Sequence, residues 1–166
     1  MSHTKFKLNH KLFAGKYQVL DEHNILVCEA KKSSFSPSHR TVLYDSFGEE
    51  VFEIRRKLFS LSNIFTISSG GEPVYRLKSS KFSFRPKVFV EALKNRDAFM
   101  IQGDLFGMEY AFYRYKKAFA MVSKKMWTFS DHYGIAIEDS EDELLIISVV
   151  IALDIMRRRK KRRAAS

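Results

Sequence analysis

Seven consecutive cations, Arg157, Arg158, Arg159, Lys160, Lys161, Arg162 and Arg163, are the residues in this chain best suited to holding a ligand. Each Lys or Arg close to an anionic bilayer contributes about 1 kcal/mol of attraction. The same run would neutralise nucleic-acid phosphates with a steep salt dependence. The 22 basic residues outside it face 19 acidic ones, so the body carries only +3 of the formal +10. The run therefore reads as a basic tail spanning 157–166, whose bland alternative is a solvated end. On this reading, cutting the chain after Met156 removes binding to anionic vesicles and barely changes stability.

Other reactive groups do not assemble into a signature. The histidines at 3, 10, 23, 39 and 132 lack metal-ligand spacing. Cys28 is the single cysteine, which rules out an internal disulfide and a cysteine-built zinc site and favours a reducing, cytoplasmic compartment. No Gly-x-Ser-x-Gly elbow is present, and Ser69-Gly70-Gly71 is a turn without the Gly-Lys-Ser/Thr of a phosphate loop. Glu138, Asp139, Glu141, Asp142 and Glu143 crowd five carboxylates into six residues, but EF-hand spacing is missing. The expectation is a protein with no catalytic residues, cofactor, metal site or small-molecule substrate. Aromatic and basic residues interleave at Phe82-Ser83-Phe84-Arg85-Pro86-Lys87 and at Tyr113-Arg114-Tyr115-Lys116-Lys117. Strand alternation produces such strings as readily as a stacking platform for single-stranded nucleic acid does.

The elements that must carry these groups follow from a repeat of about 24 residues. Asp21, Asn24, Val27, Glu29, Phe35 and Ser36 recur as Asp45, Gly48, Val51, Glu53, Phe59 and Ser60, with weaker copies at Val74, Leu77, Phe82, Ser83 and at Val122, Trp127, Phe129. Each unit opens on a turn signal such as Asp-Ser-Phe-Gly at 45 to 48. Apolar residues then alternate with period two, as in Phe52/Ile54 against Glu53/Arg55 and Phe65/Ile67 around Thr66. An all-β sandwich or barrel is expected, with one exception. Leu144 to Met156 is apolar on every side, so a helix there needs complete enclosure, which a closed barrel provides. Its core is read as Leu144, Leu145, Ile147, Val150, Ile151 and Leu153. Thirteen residues span only about 20 Å, too short to cross about 30 Å of hydrocarbon, and Asp154 interrupts them. Ser140 with Glu143 reads as the capping box that starts this helix. Met1 to His10 lacks the apolar stretch of a secretory signal.

The ordered set Lys-Leu-Phe-Ser-Leu at 57 to 61, Lys-Phe-Ser-Phe-Arg-Pro-Lys at 81 to 87, Ile-Gln-Gly-Asp at 101 to 104, Val-Ser-Lys-Lys-Met-Trp at 122 to 127 and Asp-His-Tyr-Gly-Ile at 131 to 135 resembles the LURP-one-related family. Asp139, Asp142 and Asp154 around Leu144 to Leu153 complete the resemblance, which runs from about Lys11 to Met156. That family lies within the tubby C-terminal and phospholipid-scramblase-like group of folds. The resemblance implies an antiparallel closed β-barrel of about a dozen strands around a buried hydrophobic C-terminal helix. It leaves 1–10 as an N-terminal segment, places the barrel at 11–156 with its helix at about 141–156, and does not require the basic tail. Tubby-like relatives bind phosphoinositides and scramblase-like relatives act at membranes, so it implies a non-enzymatic lipid- or membrane-surface module. The alternatives are a nucleic-acid or protein-binding module acting through the tail, or a purely structural protein.

Overall fold

The computed structural model describes residues 2–11, 15–33, 39–58, 63–79, 87–126 and 132–166. Twelve antiparallel strands run in chain order: β1 (His3–Lys11), β2 (Lys16–Asp21), β3 (Leu26–Lys32), β4 (Thr41–Asp45), β5 (Glu50–Arg56), β6 (Ile64–Ser69), β7 (Glu72–Ser79), β8 (Val88–Ala92), β9 (Phe99–Asp104), β10 (Glu109–Arg114), β11 (Lys117–Ser123) and β12 (His132–Glu138). Each pairs with its sequence neighbours, and β1 pairs with β12 to close the barrel. Closure removes every sheet edge, so no row of backbone donors is left open to aggregation.

The repeat is real at atomic level. Asp21 Oδ1 accepts from the backbone N–H of His23 and Ile25 at 2.9 and 2.8 Å, and Asp45 Oδ1 accepts from Phe47 and Glu49, both at 2.9 Å. The matching fourth positions, Asn24 and Gly48, both have positive φ, 62° and 86°. One Asx turn is thus used twice, each time by the residue type that tolerates the left-handed region. The Phe35/Ser36, Phe59/Ser60, Phe82/Ser83 and Trp127/Phe129 parts of the repeat lie outside the described residues.

Period-two alternation sends pairs such as Phe6/Leu8, Tyr17/Val19, Phe52/Ile54, Phe65/Ile67 and Tyr110/Phe112 into the lumen. There they meet α1 (Glu143–Ala164), whose Ile147 through Ala152 are all fully buried. Leu145, Ile147, Val150, Ile151 and Leu153 lie on the axis as the apolar pattern requires, while Leu144 at the first turn is only partly buried. Ser148, the polar residue inside this run, donates to the Leu145 carbonyl at 2.6 Å and so does not leave a buried hydroxyl unpaired.

Three boundaries differ from the sequence reading. The segment before Lys11 is not an appendage: β1 begins at His3 and is the strand that closes the barrel, with Phe6 and Leu8 inward. The helix cap is Asp142 rather than Ser140, its Oδ1 accepting from Leu145 N at 3.1 Å. Asp caps as well as Ser, and this start leaves Ser140 in a turn and frees Glu141 to bind Arg114 at 2.6 Å. Finally, α1 does not stop near Met156 but continues through the cations to Ala164. Lys and Arg are good helix formers, no Gly or Pro intervenes, and positive charge suits a helix C-terminus.

Candidate anion-binding site at the helix exit

The seven cations are therefore a rigid helical extension, and they divide into three groups by burial. Arg157 is 9% exposed; Arg158, Arg159 and Lys160 are half-buried; Lys161, Arg162 and Arg163 project into solvent. Beneath them lies Asp154, with no exposure at all. Its Oδ1 accepts from Arg157 Nε at 3.0 Å and from the same guanidinium's second nitrogen at 2.6 Å. Its Oδ2 accepts from Arg158 Nε at 2.6 Å and from the Tyr17 hydroxyl at 3.0 Å. Burial alone would raise this carboxyl, but hydrogen bonds and charge from Arg158 and Arg157 outweigh it and hold the group below its usual range. Two of the supposed tail cations are thus internal counter-ions. A cut after Met156 would strand a buried carboxylate, contrary to the expectation that stability barely changes.

The helix exit leaves two clefts. The first, about 260 Å³, lies between Arg158, Arg159 and Arg162 of the helix and Lys32, His39 and Arg56 of the wall from β3 to β5. The second, about 360 Å³, lies toward β12 and is lined by Tyr133, Lys124, Arg157 and Lys161. His10 lies in both, packed at 4.5 Å between ring centroids against Tyr17, the residue that holds Asp154. On the body of the barrel, many of the cations have carboxylate partners: Lys16 with Glu29, Arg40 with Glu50 and Glu53, Lys78 with Glu91, Lys117 with Glu138. Among the described residues, Lys32, Arg56, Arg159 and Arg162 form no such pair. Burial first, then Arg56, Arg163 and Arg162, makes Arg159 less basic than usual. Burial first, then Lys32, Arg159 and Arg56, depresses His39.

Sequence reasoning found the helical cations but not their wall partners. Lys32 ends β3, His39 precedes β4, Arg56 ends β5 and His10 lies near the end of β1. In an up-and-down barrel alternate connections fall at the same end, so strand parity was the signal that could have grouped them. The opposite mouth accounts for four of the five carboxylates in the acidic stretch. Glu138 meets Lys117, Asp139 accepts from Thr4, Glu141 binds Arg114, and Asp142 caps the helix and lies 3.4 Å from Arg96. Arg114, in the aromatic-basic string at 113 to 117, turns to Glu141 and lies over the Phe119 ring at 4.4 Å. The other such string, except for Lys87, lies outside the described residues.

A closed antiparallel barrel threaded by its own C-terminal helix is the tubby-like barrel fold. The chain belongs to the LURP-one-related family, whose model matches residues 4–154. It is similar to Uncharacterized protein YxjI of Bacillus subtilis (strain 168), with 26% identity over 151 residues, covering 90% of this chain and 91% of that protein. Its fold matches the X-ray structure of an Arabidopsis thaliana protein at a TM-score of 0.72, with 20% identity, over 93% of this chain and 91% of the other. The family match ends at Asp154, so the run 157–163 lies outside it. No helix among the described residues is long and apolar enough to cross a membrane.

Proposed function

We propose that this protein is a non-enzymatic module that binds anionic lipid at a membrane surface, on the cytoplasmic side, through the helix exit. The observation that carries the reading is the convergence of Lys32, Arg56, Arg159 and Arg162 with no carboxylate among them. Lys161, Arg162 and Arg163 extend the same field into solvent, where each cation near an anionic surface adds about 1 kcal/mol. Phe106, 41% exposed beneath Lys160 at 5.6 Å, gives the rim an apolar element. Cys28 offers no thiolate nucleophile, because its buried thiol is pushed up to about 12, first by burial and then by Glu29.

Co-sedimentation of the full chain with anionic and neutral vesicles tests the proposal, beside a nucleic-acid mobility shift at the same salt. Binding to anionic vesicles alone is expected, and it should be lost when Lys161, Arg162 and Arg163 are together replaced by Glu. Equal binding to neutral vesicles, or an unchanged triple variant, would overturn it. A mobility shift at salt concentrations where vesicles no longer bind would assign the exit to nucleic acid.

A further inference from the structure

The two clefts at the exit are not equivalent. In the second, Arg157 is already committed to Asp154. In the first, Arg56 and Arg159 each keep a buried Nε donor that meets no acceptor among the described residues. Buried guanidinium donors are ordinarily satisfied. The charged groups that act on Arg159 are the further cations Arg56, Arg163 and Arg162, and the carboxylate below is filled by Arg157, Arg158 and Tyr17. Like charges held together at the cost of their own basicity are relieved by an anion in their midst.

We propose that the cleft between the helix and the β3 to β5 wall is a discrete pocket for a phosphate monoester, anchored by Arg56, Arg159 and Arg162 and completed by Lys32 and His39. This rests on the anion-binding reading of the same mouth and narrows it to one chemistry. At 260 Å³ the cleft is smaller than the roughly 300–1,000 Å³ of pockets that take whole small molecules, so one group enters while the rest of the ligand stays outside. A monoester carries about −1.5 to −2 charge near neutral pH and three free oxygens. A diester has a single charge and two free oxygens. Planar guanidinium forks reward paired acceptor oxygens with parallel hydrogen bonds, which a diffuse surface potential does not. The pocket therefore separates monoesters from diesters, something the exposed cations Lys161 and Arg163 have no geometry to do. The monoester has two possible sources, a lipid headgroup that ends in phosphate or a soluble phosphorylated molecule.

The experiment uses the full chain with four probes: glycerol 3-phosphate, dimethyl phosphate, and vesicles containing phosphatidic acid or phosphatidylglycerol adjusted to equal zeta potential. Titration calorimetry is paired with an NMR titration of His39, whose ring pKa should rise when a dianion fills the pocket. Glycerol 3-phosphate is expected to bind once per chain and dimethyl phosphate about tenfold more weakly, the loss of one charged hydrogen bond. Phosphatidic acid vesicles should be preferred by a similar factor. Arg56→Gln and Arg159→Gln should each abolish the preference, lowering phosphatidic acid binding about tenfold more than they lower phosphatidylglycerol binding. Arg56→Lys keeps the charge without the fork and should lose most of it, so a folded variant remains even if one glutamine variant fails. Equal binding of both vesicle types with no His39 response to glycerol 3-phosphate would overturn the pocket and leave the lipid reading standing. Binding of glycerol 3-phosphate without binding to either vesicle would uphold the pocket, assign a soluble source and overturn the lipid reading. No binding of any probe would overturn both.

Discussion

The Tyr17 hydroxyl donates to Asp154 Oδ2 at 3.0 Å and so ties β2 to the last wholly buried stretch of the central helix. Packing alone leaves an apolar helix inside an apolar cylinder with little to choose between rotations or depths. A buried polar contact with a single partner supplies that choice, as a lone polar residue sets register in a coiled coil. The helix carries its own counter-ions one turn further on, Arg157 at i+3 and Arg158 at i+4, so the carboxylate stays ionised where water is excluded. The same arrangement brings Arg158 and Arg159 to the wall of the cationic cleft.

Replacing Asp154 by Asn removes the charge with little change of shape and leaves Arg157 buried without a counter-ion. Breaking a buried pair from one side costs about 3–5 kcal/mol. Tyr17→Phe removes one hydrogen bond to a charged group, about 1.5–3 kcal/mol. Because both act through the same carboxylate, the double variant should be less destabilised than the sum of the singles. Urea unfolding of all four proteins checks this, and strict additivity would show that the tie does not position the helix.

Acid should weaken the fold in two stages. His10 is depressed by burial first and by Arg158 next, and His39 by burial and then Lys32, so both bind protons more tightly in the unfolded chain than in the folded one. Stability from these groups is present above the ordinary histidine value of 6.5 and is lost as pH falls through the folded values. Asp154, also depressed, adds a second loss below the ordinary aspartate value of 3.8. Melting temperatures between about pH 8 and pH 3 should show both declines. The His10→Gln, His39→Gln double variant should flatten the first and leave the second.

How much of this was legible depended on whether the signal was local. Asp21 and Asp45 announced the hairpins because an Asx turn is encoded within five residues, and the all-round apolarity of Leu144 to Met156 demanded an enclosing barrel. β1 is faint in the sequence because Phe6 and Leu8 are its only large apolar residues, and its second partner, β12, becomes evident only on closure. The pairing of Asp154 with Arg157 and Arg158 was readable from i+3 and i+4 spacing alone. The unbroken run of seven cations hides it, because Arg157 and Arg158 look no different from the exposed cations that follow. Lys32, His39 and Arg56 are brought beside the helix only by the closed topology, and no short window of sequence holds that information.

The two copies of the Asx turn offer an internal control on backbone strain. Gly48 has φ of 86° and nothing within 4 Å of where a Cβ would lie, so Gly48→Ala meets no clash yet must hold a side chain in the left-handed region. A loss of about 1–2 kcal/mol is expected. Asn24→Gly, at the equivalent position with φ of 62°, should be neutral or slightly stabilising. Denaturant midpoints at unchanged slope measure both; equal effects of opposite order would show that the copies are not equivalent.

Truncations decide whether the helix is the core of the barrel or an attachment to it. Ending the chain at Ser140 removes the whole of α1, including the fully buried Ile147 to Ala152, and should yield a protein that does not fold. Ile147→Asp puts an unpaired carboxylate at the same axis and should act alike in the full chain. Ending at Met156 keeps the buried apolar run of the helix but removes Arg157 and Arg158, so Asp154 retains only Tyr17. The expected loss of about 3–5 kcal/mol is comparable with the typical net stability of about 5–15 kcal/mol, so this product should be marginal. Ending at Lys161 keeps both counter-ions and removes Arg162 and Arg163, and its melting temperature should stay near that of the full chain. Thermal melts of the four proteins give an order of full chain and Lys161 end, then Met156 end, then the Ser140 end and Ile147→Asp. A Met156 end as stable as the full chain would show that Asp154 is not held by its arginines, and a cooperative melt from the Ser140 end would show that the strands close without the helix.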